Sequence, residues 1–321
     1  MLSALVVGCG NIAGRFDADR ADASELPLTH AGAYRRDGRY AIASCVEPDR
    51  ARREDFMRRW NVTHGYDSVD AVKNQIRAFD VISICSPTAA HASHLQAAAR
   101  LQPKLVFCEK PLTGSGSLSQ EIVDDFNARD IPLAVNYTRR WDPSVRELKA
   151  GMAASRWGKL RTVTGSYNKG LLNNGSHMLD LLLYLLGDLR VRFVGDAVAD
   201  YAEEDPSVPA WLEAPGRVPV VLTCSDARDF AYFELEFVFS GAIVRMEEGG
   251  LYWRERPVAA SSHFAAYRVV SAGTRTPGRY GEAMRDAVGN IFEVVTRGVP
   301  LASTGSSALL VQRLCEQMRG P

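Results

Sequence analysis

In the stretch Asn173-Asn174-Gly175-Ser176-His177-Met178-Leu179-Asp180 and the residues that follow, Asn173, His177, Asp180 and Tyr184 recur at steps of four, three and four. That spacing lines them along one face of a helix. The run from Met178 to Leu186 around them is almost wholly apolar, and Gly187 is placed to stop the helix at its C′ position. A polar stripe on a buried helix costs free energy unless it meets partners or a ligand. We read the stripe as facing a substrate. Histidine is suited to proton transfer there, because its unperturbed pKa of about 6.5 lies near operating pH. A second reactive cluster is the strand end Cys108-Glu109-Lys110-Pro111. Lysine, unperturbed at about 10.4, is more naturally a donor to developing negative charge; burial would let it share the proton traffic. The bland alternatives are a satisfied core histidine, a solvent-facing lysine, Asp180 as a helix anchor, and Arg139 and Arg140 as surface ion pairs.

The chain that must position these groups has 321 residues, enough for two domains with separate cores. Its formal net charge is zero and no basic block appears, so neither nucleic acid nor an anionic membrane is expected as a partner. Leu2 to Val7 is too short for a membrane span and lacks the basic flank of a signal peptide. The six cysteines form no CxxC pair, and Cys9, Cys45, Cys85 and Cys108 fall at or near strand ends. They read as free, buried thiols. No metal site or disulfide framework is expected, and a cytoplasmic location fits.

Leu2 to Val7 reads as a buried strand running into Gly8-Cys9-Gly10-Asn11-Ile12-Ala13-Gly14, the GxGxxA form of the dinucleotide fingerprint. Gly8 allows the tight turn, Gly10 lets a pyrophosphate approach the backbone, and Ala13 lets the helix pack close to the strand, with Asn11 and Ile12 in the same cofactor-binding turn. Tyr40 to Val46 is the second strand, ended by Glu47. An acidic residue there normally bonds the adenosine ribose hydroxyls and repels a 2′-phosphate. Glu47 therefore favours NAD over NADP, with the arginine-rich helix from Arg50 as the competing feature. Residues 15–29 read as an insertion, more a solvated loop than a lid.

Further strands are expected near His64 to Tyr66, Asp80 to Cys85, Lys104 to Cys108 and Leu133 to Tyr137. Helices are expected from Ser68 to Ile76, from the Ser86-Pro87 turn through His91 to Arg100, and from a Ser117 cap to Arg129. This alternation predicts an α/β fold with a doubly wound parallel sheet. Ligands of such sheets sit at the carboxyl ends of the strands, so Gly8, Glu47, Ser86-Pro87 and Glu109-Lys110 should line one crevice. Beyond a helix at Pro143 to Met152, strand-like runs cover Lys159 to Tyr167, Val191 to Tyr201, Val218 to Ser225, Phe230 to Phe239 and Ala242 to Glu247. Phe233-Glu234-Leu235-Glu236-Phe237 alternates as a sheet with one covered face should. Glu203 to Arg217 reads as a loop, and Gly281 to Arg297 and Ser306 to Met318 as closing helices. The expected domains are residues 1–137 and 138–321.

The motifs GCGNIAG, SPTAAH, CEKP, NYTRRWDP and GSHMLD occur in this order, and in them the chain resembles the Gfo/Idh/MocA family of nicotinamide-dependent oxidoreductases nearly end to end. The resemblance implies a Rossmann domain followed by an α+β domain with a large, open, mostly antiparallel sheet, often used for oligomer packing; a homodimer or homotetramer is the expectation. It implies that Lys110 is the active-site lysine, close to nicotinamide and substrate, on a strand end shaped by Glu109 and Pro111. A cis Lys110–Pro111 bond would suit that position. His177 corresponds to the catalytic histidine, Asp180 to an aspartate three residues later, and His91 to a structural or cofactor-side residue. Inositol dehydrogenase-like members carry an aspartate where this chain has Asn173. Asparagine cannot take a proton, so no His–Asp dyad is built with that position. Some nucleotide-sugar-directed relatives resemble this chain there.

Hydride transfer from a secondary alcohol to NAD needs a base for the hydroxyl proton. His177 is assigned that task, Lys110 electrostatic support, and Asp180 an orienting role or a substrate hydroxyl. Asn173 and Arg140 are further substrate contacts. The substrate class is a sugar, cyclitol or nucleotide sugar. Two other classes are compatible with the motifs: a non-catalytic NAD-binding regulator, and an enzyme that recycles a tightly bound cofactor between sugars or through a lyase step.

Overall fold

The first strand, β1 (Leu2–Val7), has a parallel neighbour on each side, so both its faces are covered and its sequence is an unbroken apolar run. With β2 (Tyr40–Val46), β3 (His64–Tyr66), β4 (Val81–Ile84), β5 (Leu105–Cys108) and β6 (Leu133–Val135) it forms a six-stranded sheet of order β3-β2-β1-β4-β5-β6. Every neighbouring pair is parallel. The order reverses between β1 and β4, where doubly wound sheets bind dinucleotides. The computed structural model describes residues 1–18, 26–72 and 78–320; residues 19–25 of the expected insertion and the end of the helix expected after Ser68 lie outside them. The intervening helices are α1 (Phe16–Ala18), α2 (His30–Asp37), α3 (Arg50–Trp60), α4 (Val69–Val72), α5 (Thr88–Arg100) and α6 (Gly116–Ala128). Asp17 accepts the N–H groups of Leu28 and Thr29, and the Thr29 hydroxyl caps α2. The cap of α6 is Ser115 rather than Ser117: its hydroxyl takes the Leu118 N–H, so the helix starts earlier than the pattern predicts.

The second part of the chain opens with α7 (Pro143–Ala153), capped by Asp142, then β7 (Leu160–Tyr167) and α8 (Ser176–Leu186). The strands that follow are β8 (Arg190–Val194), β9 (Val198–Ala202), β10 (Asp205–Ser207), β11 (Ala210–Ala214), β12 (Val218–Cys224), β13 (Phe233–Phe239), β14 (Ala242–Glu247), β15 (Tyr252–Ala260), β16 (Arg268–Val270) and β17 (Thr274–Pro277). They make a nine-stranded sheet of order β16-β15-β14-β13-β7-β12-β11-β8, with β17 on β15, and a separate β10-β9 pair. Within the large sheet only β7 and β12 run parallel. Phe233, Leu235, Phe237 and Phe239 are buried on one face, as the alternation predicts. Gly165 in β7 lets α8 lie close: a Cβ there would meet Met178 Sδ at 2.6 Å.

Two expectations change here. The run Val191 to Tyr201 is two strands in different sheets, broken at Gly195. The expected loop Glu203 to Arg217 contains β10 and β11, and β11 is an interior strand between β8 and β12. Pro209 and Pro215 flank β11, Pro206 lies within β10, and together they hide the alternation.

The chain then returns. Ala283, Met284, Ala287, Val288 and Ile291 of α9 (Ala283–Arg297) join Tyr34, Tyr40, Phe107 and Trp141 in one core. The Tyr40 hydroxyl donates to the Val288 carbonyl at 2.6 Å, and the Ser303 hydroxyl to the Val135 carbonyl at 2.7 Å. The last helix is α10 (Gly305–Arg319). The chain thus divides into two compact units, Met1–Trp141 with Gly281–Leu310, and Asp142–Tyr280 with Val311–Pro321. This differs from a single boundary after residue 137, because the apolar stripe of α9 completes the first core. Among the described residues no helix is long and apolar enough to cross a membrane. The six cysteines carry free thiols, five of them buried.

Candidate functional site

In the first unit, Val7 pairs with Val46 on one side and Ile84 on the other, and Ile84 pairs with Cys108. The ends of β1, β2, β4 and β5 are therefore level, and Gly8, Glu47, Ser86 and Glu109 follow at one edge of the sheet. Gly8 has φ 87°, and a Cβ on it would meet the Ser86 amide nitrogen at 2.7 Å. Only glycine fits both conditions. Above Gly10 nothing lies within 4 Å of a built Cβ, so space remains where a pyrophosphate would approach. Asn11–Arg15 forms a π turn, with the Arg15 N–H on the Gly10 carbonyl at 3.4 Å. Ala13 is fully buried, and Gly14 lies directly against Trp60. Two small residues, not one, give the close packing. Beside the turn is a cavity of about 270 Å³ lined by three arginines, Arg15, Arg52 and Arg59, and two aspartates, Asp49 and Asp55, with Cys9, Phe56 and Trp60.

Glu47 is only 5% exposed. One carboxylate oxygen accepts the Cys9 N–H at 3.0 Å and the other the Asp49 N–H at 3.2 Å, with Arg52 Nη1 at 3.7 Å. Arg53 donates to its backbone carbonyl. Glu47 thus ties the fingerprint turn to the end of β2, a role that the sequence reading missed. Pro87 precedes α5 in extended conformation, and the Ser86 hydroxyl bonds His94 Nδ1 at 2.9 Å. His91 is buried; its Nε2 lies 2.8 Å from the Ser86 carbonyl and its Nδ1 2.9 Å from the Pro111 carbonyl. The ring joins the two strand ends beneath the crevice.

The Lys110–Pro111 bond is cis. Glu109, one residue before it, takes hydrogen bonds from His30 Nε2 at 2.9 Å and Asn136 Nδ2 at 2.6 Å. Burial pushes this carboxyl up, but the bond and charge of His30, the Asn136 bond and the charge of Lys110 outweigh it and hold Glu109 below the usual carboxylate range. His30 was not singled out in the sequence. The available signal was a histidine directly after the Thr29 cap. Arg140, in the short 3₁₀ segment Thr138–Trp141, is buried and donates to the Ala302 carbonyl at 3.3 Å.

In the second unit, a π turn, Gly170–Gly175, runs straight into α8. Such turns widen a helix start and recur at functional sites. Three residues of the β9–β10 hairpin grip this one: Asp200 accepts the Lys169 N–H at 2.7 Å, Ser207 the Gly170 N–H at 3.0 Å, and Asp205 the N–H groups of Leu172 and Asn173 at 2.8 and 2.9 Å. Asn173 Nδ2 donates to the Lys169 carbonyl at 3.1 Å. His177 is half-buried and Asp180 buried. Lys149 Nζ stands 3.6 Å over the Tyr184 ring. Gly187, φ 84°, ends the helix with its N–H on the Leu183 carbonyl.

Residues 2–137 match the profile GFO_IDH_MocA, an oxidoreductase family with an NAD-binding Rossmann fold. The uncharacterized oxidoreductase YrbE of Bacillus subtilis (strain 168) is 39% identical over 70 residues, 22% of this chain and 20% of that protein. Inositol 2-dehydrogenase of Rhizobium meliloti (strain 1021) is 24% identical over 284 residues, 78% of this chain and 79% of that protein. The chain therefore spans only 20% of the length of the first of these relatives. An oxidoreductase from Agrobacterium radiobacter, solved with NAD+, L-tartaric acid and magnesium, shares the fold with a TM-score of 0.76. That likeness covers 98% of this chain and 94% of the other, at 16% identity.

Proposed function

Because the chain belongs to the Gfo/Idh/MocA family of oxidoreductases, we propose that it is a nicotinamide-dependent dehydrogenase or ketoreductase acting on a secondary alcohol or ketone of a sugar, cyclitol or nucleotide sugar. The observation that carries this reading is the level row of strand ends, in which the glycine turn, Glu47, Ser86 and the Glu109-Lys110-Pro111 corner follow adjacent parallel strands. NAD, when bound, supplies the hydride acceptor. The turn at Gly8 and Gly10 gives it space, and the buried Glu47 favours NAD over NADP by its negative charge at the end of β2.

In this reading His177 takes the hydroxyl proton, Lys110 donates to the developing alkoxide, and Asp180 orients the histidine or holds a substrate hydroxyl. Asn173 is a neutral substrate contact. The bond of Arg140 to the Ala302 carbonyl favours a supporting role for that side chain over direct contact. The name of the inositol 2-dehydrogenase relative supports a polyol-like substrate, while Asn173 tilts the choice towards a sugar or nucleotide sugar. Exposed Phe193, Trp211 and Val221, neighbours across β8, β11 and β12, support packing of a second copy on the large sheet.

The test is nicotinamide absorbance during incubation with NAD+ and a panel of polyols, sugars and nucleotide sugars. Formation of NADH with one secondary-alcohol class is the expected result. Tight NAD binding without hydride transfer to or from any member would favour a regulator instead.

A further inference from the structure

Ser83 lies within β4, a strand buried along its whole length. A polar side chain persists in such a place only when paired. Its hydroxyl meets the Tyr34 hydroxyl at 2.7 Å and His30 Nδ1 at 3.1 Å. The other ring nitrogen of His30 meets Glu109 at 2.9 Å, and Asn136, itself bonded by the Thr138 hydroxyl at 2.9 Å, holds the same carboxylate oxygen. Tyr34, Ser83 and His30 have no solvent exposure.

An ionised carboxylate only accepts, so His30 Nε2 carries the hydrogen of its bond to Glu109. At Nδ1 a neutral ring accepts from the Ser83 hydroxyl and a protonated ring donates to it; in both cases Ser83 also bonds Tyr34, so every group in the row has a partner. Burial pushes the Tyr34 hydroxyl up and leaves it protonated, so the row can hold a charge at its end but does not conduct protons to water.

We propose that His30, backed by Ser83 and Tyr34, is a positioning residue whose bond to Glu109 holds that side chain as an anion and thereby fixes the electrostatic setting of Lys110. The inference rests on the role given to Lys110 above. Among the described residues the Cys85 and Cys108 thiols also face Glu109; burial pushes both up and keeps them neutral, so neither replaces His30 as a source of support. Without the His30 donor, Glu109 keeps only Asn136 and the neighbouring Lys110 charge against its burial.

The test is an NMR titration of protein carrying ¹³C-carboxyl glutamate, with Glu109→Gln identifying the signal. In the native chain Glu109 should stay ionised below the ordinary glutamate value of about 4.3. In His30→Leu its titration should rise by about one unit or more. His30→Gln, whose amide can still donate, should return it most of the way. Ser83→Ala, a smaller change that retains the ring, should give a partial rise even if His30→Leu does not fold. Where hydride transfer is measurable, kcat of His30→Leu relative to the native enzyme should fall about tenfold per pH unit below the displaced Glu109 value and recover above it. An unmoved Glu109 signal in the folded variants, or a kcat loss independent of pH, overturns the proposal. The NMR shift needs no substrate: a shift without any hydride transfer upholds the lock on Glu109 and removes the proposed reaction, while transfer with an unmoved signal does the reverse.

Discussion

The side chain that Gly8 lacks would stand 2.7 Å from the amide nitrogen of Ser86, so the turn after β1 lies against the backbone of the turn after β4. Gly8→Ala combines that clash with a left-handed φ of 87°, and should cost about 1–3 kcal/mol of stability. Gly10→Ala adds a methyl into open space on an extended backbone, and should leave stability within about 0.5 kcal/mol. It should nevertheless weaken NAD binding roughly tenfold or more, about 1.4 kcal/mol. Equilibrium unfolding and NAD titration of both variants separate the two roles; unchanged NAD affinity in Gly10→Ala would remove the pyrophosphate from that turn.

Acid should unfold the first unit partly through Glu109. Burial raises this carboxyl, but the His30 and Asn136 bonds win and the folded value is depressed. A depressed value gives stability that is complete above the unfolded glutamate pKa of about 4.3 and lost as pH falls through the folded value. Glu109→Gln should therefore be less stable than the native chain at pH 7, and the gap should close below about pH 4. Denaturant melts across that range check the sign.

Glu47 should matter to the protein before it matters to a cofactor. Glu47→Ala strands the Cys9 N–H, bonded at 3.0 Å in the native turn, and should cost about 1–3 kcal/mol. Glu47→Gln keeps an acceptor and should recover most of it. Native protein should bind NAD more tightly than NADP, and both substitutions should narrow that preference by removing the negative charge. Parallel titrations with the two cofactors and thermal melts give both readouts.

His177→Asn and Lys110→Met should each lower turnover by roughly 10²-fold or more, the range for general acid–base groups. NAD affinity should change little in His177→Asn. Near-native turnover in either variant strips that residue of its assigned role.

The strand ends were legible because buried parallel strands are continuous apolar runs, and the residue after each run is easy to mark. Gly8, Glu47, Ser86 and Glu109 follow level strands for that reason. Features that depend on distant partners were not legible. His30 joins residues 53 and 79 positions away, and no local pattern announces such a row. The π turn before His177 is held by Asp200, Asp205 and Ser207, which sequence reading placed at the end of a strand and in a loop. Proline spacing concealed β11, and two neighbouring serines, Ser115 and Ser117, offered equivalent caps for α6. The closing helix α9 was found as a helix; its allegiance to the first core was not, because amphipathicity names a buried face without naming what buries it.

That return of α9 sets an order of events during synthesis. The parallel sheet leaves the ribosome first, yet the helix that covers Tyr34, Tyr40, Phe107 and Trp141 is translated only after the whole second unit. Until then the nascent amino-terminal segment carries an aromatic face open to water or to chaperones. A truncation after Trp141 keeps every fingerprint residue and still lacks part of its core, so the dinucleotide-binding half should not be obtainable as a stable fragment unless residues 281–310 are spliced back onto it.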